Sequence, residues 1–160
     1  MYGWEFPPYK TGGLGTACKD LTKGLARQGV RITFVMPVAP PSASDAYVKL
    51  IGANNVTVRP IDSLLLPYST IATYETIHNS SVKGSYGHTL FAEVHRYAHA
   101  AGRIAQEEDH DIIHVHDWMT YKAGIAAKKI SGKPLVAHIH ATEYDRTLGH
   151  PHPSNPRNRT

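Results

Sequence analysis

The sequence predicts an α/β domain, a parallel sheet with helices on both faces. Three observations carry that prediction. Strand-length apolar runs alternate with segments of helical periodicity over most of the chain, the order that builds parallel crossovers. Glycine or proline punctuates these segments, as at Gly29, Pro37, Gly132 and Pro134. The first unit, a glycine-rich turn followed by a helix and a strand, occupies about thirty residues, the length of one crossover connection.

Composition sets the outer bounds. A chain of 160 residues fits one domain, and 41% hydrophobic residues suffice for a packed core. Lys and Arg number 17 against 13 Asp and Glu, a net charge of +4. That is too little to require nucleic acid or an anionic membrane as partner. The single cysteine, Cys18, excludes an internal disulfide and fits a reducing, cytoplasmic setting. No apolar run approaches the ~20 residues of a membrane span, and the opening Met1-Tyr2-Gly3-Trp4-Glu5-Phe6-Pro7-Pro8 does not read as a signal peptide.

In chain order, Met1–Trp4 reads as the tail of a strand, and Pro7-Pro8 enforces an extended loop. The glycine-rich turn runs from Tyr9 to Gly15. A helix is expected from Thr16, with Ala17, Leu21, Leu25 and Ala26 on one face and Gly29 stopping it in the C′ position. Val30–Met36 reads as a strand ended by Pro37. The pattern then weakens. Pro40-Pro41-Ser42 is a break, 56–61 and 68–74 are candidate strands, and 79–87 is a surface loop. From His88 to about Glu108, Leu90, Phe91, Val94, Tyr97, Ala98, Ala101, Ile104 and Ala105 keep helical spacing. Asp111–His116 is a strand ended by Asp117, Thr120–Ile130 an alanine-rich helix, and Leu135–His140 the next strand. The order of elements is Rossmann-like over residues 1–149, with 150–160 an irregular tail.

A strand end, a glycine-rich turn and a helix start together make an anion site. Backbone N–H groups and the helix dipole attract the charge, and Lys10 adds a point charge to the same phosphate. No Gly-Lys-Ser/Thr follows the glycines, which excludes a Walker A loop. A dinucleotide fingerprint is nearly present, but Cys18 stands where the third glycine belongs. The following strand also ends Val35-Met36-Pro37 without a ribose-binding acid. Two readings stay open: the diphosphate of a sugar nucleotide, or a tight turn that merely needs glycine.

The chain holds 11 histidines, and four of them fall in pairs on strands. His114 and His116 share a face, as do His138 and His140. One reading gathers the four with Asp117 as a zinc or iron site. Ile113, Val115 and Ile139, packed opposite, count against it, as does the lack of any His-Glu-x-x-His spacing, and no metal is assigned. The other places His116, Asp117 and His140 at the carboxyl ends of central strands, where open α/β sheets bind ligands. There a neutral histidine hydrogen-bonds a sugar hydroxyl while Asp117 fixes a loop or a tautomer. His114 and His138 are then satisfied core imidazoles. His95 and His99 belong to a solvated helix flank.

With these pieces in place, the sequence resembles the amino-terminal domain of GT-B glycosyltransferases, nearest the glycogen/starch synthases and their retaining, nucleotide-sugar-dependent relatives. Two blocks carry the likeness. Glu5-Phe6-Pro7-Pro8-Tyr9-Lys10-Thr11-Gly12-Gly13-Leu14-Gly15 is similar to the synthases' Lys-Thr-Gly-Gly-Leu loop. Asp111-Ile112-Ile113-His114-Val115-His116-Asp117-Trp118, followed by Lys133-Pro134-Leu135-Val136 and on to His140, resembles their His-Asp-Trp-His strand end and the strand after it. The resemblance implies that Lys10, Thr11, Gly12, Gly13 and Leu14 bind the donor diphosphate. It implies that Asp117 and His140 are the catalytic pair at the donor glucose, with His116, Glu143 and Arg146 on the sugar and acceptor side. The implied substrate is a nucleoside-diphosphate sugar such as ADP- or UDP-glucose, the acceptor a glucan or other carbohydrate, and no further cofactor is needed.

Thr16 replaces the acid usual after the glycine loop, Met119 the second histidine of His-Asp-Trp-His, and Ala141–Arg146 an Asn-initiated segment. These departures favour a broader synthase-like hexosyltransferase over glycogen synthase itself. GT-B enzymes use a second, carboxyl-terminal nucleotide-binding domain, which is absent from these 160 residues. The expectation is a fragment that is inactive alone. Two other classes compete: a non-catalytic metal-binding module using His114, His116, His138 and His140, and a basic nucleic-acid-binding domain using Arg157 and Arg159. The dispersed basic residues carry no nucleic-acid motif.

Overall fold

The computed structural model describes residues 1–8, 12–39, 44–45, 47–53 and 90–146. The expected break at 40–42, candidate strands at 56–61 and 68–74, loop at 79–87 and tail at 150–160 lie outside the described residues. Helix α1 spans Gly13–Arg27, three residues earlier than its periodicity suggests. Gly13, Leu14 and Gly15 therefore form its first turn and are not a loop before it. Its buried row is Leu14, Cys18 and Thr22, spaced by four, whereas Ala17 faces solvent. Gln28 caps the helix, and Gly29 at φ +80° takes the left-handed position that side chains disfavour.

Strand β1 (Thr33–Met36) ends at Pro37, leaving Val30 exposed outside it. Strand β2 (Ser44–Asp45) and strand β3 (Val48–Gly52) follow, in a stretch where the sequence suggested no strand. In β3, Val48 and Leu50 are buried while Lys49 is exposed. Helix α2 (Leu90–Glu107) buries Leu90, Val94, Tyr97, Ala101, Ile104 and Ala105 as expected. Strand β4 (Ile113–His116), helix α3 (Trp118–Ser131), strand β5 (Leu135–His138) and the single-turn helix α4 (Glu143–Arg146) complete the order. Gly132, at φ +70°, stops α3. His140 thus lies two residues beyond its strand, not within it.

The sheet is parallel apart from β2. Strand β3 pairs β1 in parallel (Thr33 opposite Lys49), β2 pairs β3 antiparallel, and β4 pairs β5 in parallel (His116 opposite His138). The two halves are joined by Met1–Gly3. Tyr2 N–H donates to His114 O at 2.8 Å and Gly3 N–H to Val35 O at 2.9 Å. His116 N–H returns to Tyr2 O at 3.1 Å and Val35 N–H to Met1 O at 2.8 Å. The spatial order is therefore β2–β3–β1–(1–3)–β4–β5. The chain winds outward in both directions from its first residues, which puts a topological switch point beside them.

Helices cover both faces, giving a Rossmann-like half-domain. Helix α1 brings Cys18 beside His116 on one face, and α2 and α3 cover the other. There Tyr2 Oη donates to Ala101 O at 3.2 Å, while Tyr97 Oη bridges Gly3 O at 3.1 Å and Val35 O at 2.8 Å. Helix α3 approaches closely because Gly124 has no side chain. A Cβ there would lie 2.3 Å from Val115 Cγ1 and 2.9 Å from Leu135 Cδ1. Tyr97→Phe keeps the packing and removes both hydrogen bonds from a fully buried hydroxyl, so urea unfolding is expected to show a loss of about 1–2 kcal/mol. A midpoint equal to wild type would mean that this hydroxyl holds nothing. Among the described residues no helix is long and apolar enough to cross a membrane.

Candidate functional site

Three segments bring polar groups to the carboxyl ends of the strands flanking the switch point: residues 4–6, the start of α1, and the ends of β4 and β5. Glu5 follows the first strand segment and is 4% exposed. Its Oε1 accepts the Gly15 N–H at 2.8 Å, so a buried carboxylate caps the first turn of α1 from outside the helix. Gly12 is the N-cap, in extended conformation at φ −156°, with no side-chain cap of its own. With Gly15 taken by Glu5, an incoming anion would meet the earlier N–H groups, at Gly12, Gly13 and Leu14. The Leu14 side chain is in the core at 2% exposure, leaving only its backbone for that role. Lys10 and Thr11 lie outside the described residues.

Asp117 is the hinge of the arrangement. It sits at φ 61° and ψ 169°, a region that is essentially glycine's, and is the only described non-glycine residue at positive φ. An aspartate at a helix N-cap usually caps that helix. This one does not: its Oδ1 accepts the His140 backbone N–H at 2.7 Å. Its own N–H donates to His138 O at 2.9 Å, and its carbonyl accepts from Thr120 N–H and Oγ1, both at 3.0 Å. Asp117 therefore ties the end of β4 to the segment beyond β5 and fixes where His140 stands.

His140 meets His116 ring to ring, Nε2 to Nδ1, at 2.9 Å. His138 stacks on His140 with centroids 4.2 Å apart, and His114 lies 4.4 Å from His116. Burial first, then the neighbouring His114 and His140 rings, lowers His116 to about 3. Burial and then His138 lower His114 to about 4. Burial also lowers His140, against the opposing pull of the Asp117 carboxylate. The lowering keeps the His114, His116 and His140 rings neutral near pH 7, each with one donor and one acceptor nitrogen.

His114 and His138 are not the satisfied core imidazoles that the sequence suggests. Nε2 of His114 and Nε2 of His116 are buried with no hydrogen-bond partner among the described residues, and His138 is only partly buried. The reason is the parallel pairing, which stacks imidazole against imidazole where a core would offer carbonyls or hydroxyls. His95 and His99 are exposed on α2, as expected. Cys18, fully buried, faces the same cluster, and burial followed by Glu5 and Asp117 pushes its thiol up to about 12. It is an inert thiol.

Glu143 and Arg146 open and close α4, and their side chains lie outside the described residues. Residues that the sequence reading left without a role hold this region in place. Thr142 N–H donates to Asp145 Oδ2 at 2.6 Å and Asp145 N–H to Thr142 Oγ1 at 3.4 Å, a reciprocal capping box. The Thr-x-x-Asp spacing was its available signal. Glu5 had none, because its partner is ten residues away and found only after folding.

A Rossmann-like half-domain with its polar residues gathered at the strand ends beside the switch point belongs to the doubly wound class, in which ligands bind at that position. More particularly, the starch synthase catalytic domain family matches residues 1–157, and the chain belongs to that family. It is 29% identical over 154 residues to an uncharacterized glycosyltransferase of Methanocaldococcus jannaschii, covering 93% of this chain and 32% of the relative. It is 27% identical over 158 residues to glycogen synthase of Mycobacterium tuberculosis, covering 93% of this chain and 34% of that protein. The chain thus spans about a third of the length of the curated relatives it matches.

Proposed function

We propose that this chain is the amino-terminal part of a retaining glycosyltransferase that moves glucose, or a related hexose, from a nucleoside-diphosphate sugar to a glucan or other carbohydrate acceptor. The observation that supports this reading is the Asp117–His140–His116 chain, standing at the strand ends beside the start of α1. Lys10 and the backbone N–H groups of Gly12 and Gly13 would hold the donor diphosphate, with Thr11 and Leu14 completing the loop. His140, fixed through its backbone by Asp117, hydrogen-bonds the donor sugar, and His116 sets its tautomer. Glu143 and Arg146 stand on the acceptor side.

In a transfer with retention the glycosidic bond to the diphosphate breaks through an oxocarbenium-like transition state. Negative charge builds on the leaving diphosphate, so fixed donors around it contribute more than a strong base. A second nucleotide-binding domain, as the family resemblance implies, supplies the rest of the nucleotide pocket, and the isolated chain binds donor weakly.

Gly13→Val in the full-length parent tests the loop. A Cβ at Gly13 has nothing within 4 Å, so the fold tolerates the side chain. Calorimetric titration with the sugar nucleotide is expected to show binding lost, with circular dichroism unchanged. Normal donor binding by Gly13→Val would remove the phosphate role from this loop.

A further inference from the structure

We propose that His114, His116 and His138 form a site for a zinc-class divalent ion on the α1 face of β4 and β5. The site goes beyond the glycosyl-transfer reading and does not depend on it. One ring nitrogen from each residue lies within 4.8 Å of the other two. Ligands around a tetrahedral zinc stand about 3.4 Å apart at bond lengths of 2.0–2.1 Å. Side-chain rotations that draw the three nitrogens together would close the cluster. The backbone positions are set by the ladder, since His116 pairs directly opposite His138 and His114 lies on the same strand face two residues back.

The orphaned nitrogens point to a ligand. Nε2 of His114 and Nε2 of His116 are buried without a partner among the described residues, an arrangement that folded proteins rarely leave uncompensated. A cation on these atoms satisfies both at once. The other nitrogen of His116, Nδ1, is held by His140 Nε2 at 2.9 Å. That is the outer contact that orients a ligating imidazole and fixes its tautomer. Three imidazoles leave the fourth position open to water or a small anion, and a nitrogen-only set suits zinc, copper or nickel over magnesium or calcium.

A second triplet, Cys18 with His116 and His140, also has its ligand atoms within 4.8 Å of one another. It is the poorer site, because its two rings already bond each other. The absence of a familiar His spacing, which counted against a metal in the sequence, concerns ligands along one element. Here the ligands meet across two strands. Ile113 and Val115 do not obstruct them, because Val115 packs on the opposite face against Gly124.

The test uses the whole chain, stripped with chelator and titrated with zinc against a chromophoric competitor. One equivalent is expected, with a raised melting temperature. His114→Gln and His138→Gln are each expected to weaken zinc by at least ~tenfold, given that even outer-contact losses cost 10–100-fold. The double variant His150→Ala/His152→Ala should retain one equivalent. Zinc binding that survives both strand variants, or that disappears with the tail variant, overturns the proposal. X-ray absorption of the wild-type zinc form decides the case in which the variants do not fold. Three imidazole scatterers support the site, and fewer than three overturn it.

Discussion

Gly3→Ala is expected to lower stability by about 3 kcal/mol, the upper end of what overpacking a tight core costs. The added Cβ would stand 2.2 Å from Phe34 Cζ and 2.8 Å from Cε1. Phe34 has no room to withdraw: it is fully buried, 4.7 Å from the Phe6 ring and 6.4 Å from His116. Gly3 cannot withdraw either, because its N–H is bonded to Val35 O and its carbonyl to Tyr97 Oη. Against a typical total of 5–15 kcal/mol, a loss of about 3 kcal/mol is a large fraction and easily read by urea unfolding. Gly13→Ala, with open space around it, is the control and should be near neutral. Phe34→Leu added to Gly3→Ala should recover part of the loss. Wild-type stability in Gly3→Ala would mean that Met1–Gly3 does not lie against Phe34.

The second large effect separates stability from activity. Asp117 occupies backbone geometry that suits glycine, at a strain of roughly 1–3 kcal/mol, yet its carboxylate carries the bond that positions His140. Asp117→Gly relieves the strain and removes the carboxylate. On the proposed glycosyl-transfer reading, melting is expected to shift little in an enzyme carrying this domain, while sugar transfer falls about hundredfold, as misplacing a reacting contact by an ångström does. Asp117→Asn keeps an oxygen for the His140 N–H and should retain much more activity than Asp117→Gly. If Asp117→Gly transferred sugar at the wild-type rate, Asp117 and its hold on His140 would have no part in the reaction.

Helix α2 and strand β4 were legible because their signals are local: apolar spacing along one element and a clean stop at Asp117. Strand β3 was not. Tyr47-Val48-Lys49-Leu50-Ile51 alternates for only a few residues and acquires its strand character by pairing with β1. The buried row of α1 is displaced by one position from the expected one because alanine reads as apolar even when exposed, while Thr22, which is buried, reads as polar. At the site, Asp117, His116 and His140 were visible as residues at strand ends. Their mutual geometry was not, since the His116–His140 contact joins atoms 24 residues apart and depends on strand pairing. The Glu5 cap was hidden for the same reason.

The placement of Met1–Gly3 sets a timetable for the ribosome. The residues that become the middle of the sheet are made before the strands on both sides of them, and β4, which closes their second edge, is made about 110 residues later; at roughly 5–20 residues per second that is a wait of roughly 5–20 seconds. Strand β1 covers one edge early. The other edge, with its hydrogen-bonding groups unpaired, stays open over that interval and is a template for any passing strand. A chaperone that shields this segment until His114 and His116 emerge would protect the nascent chain at its most adhesive point.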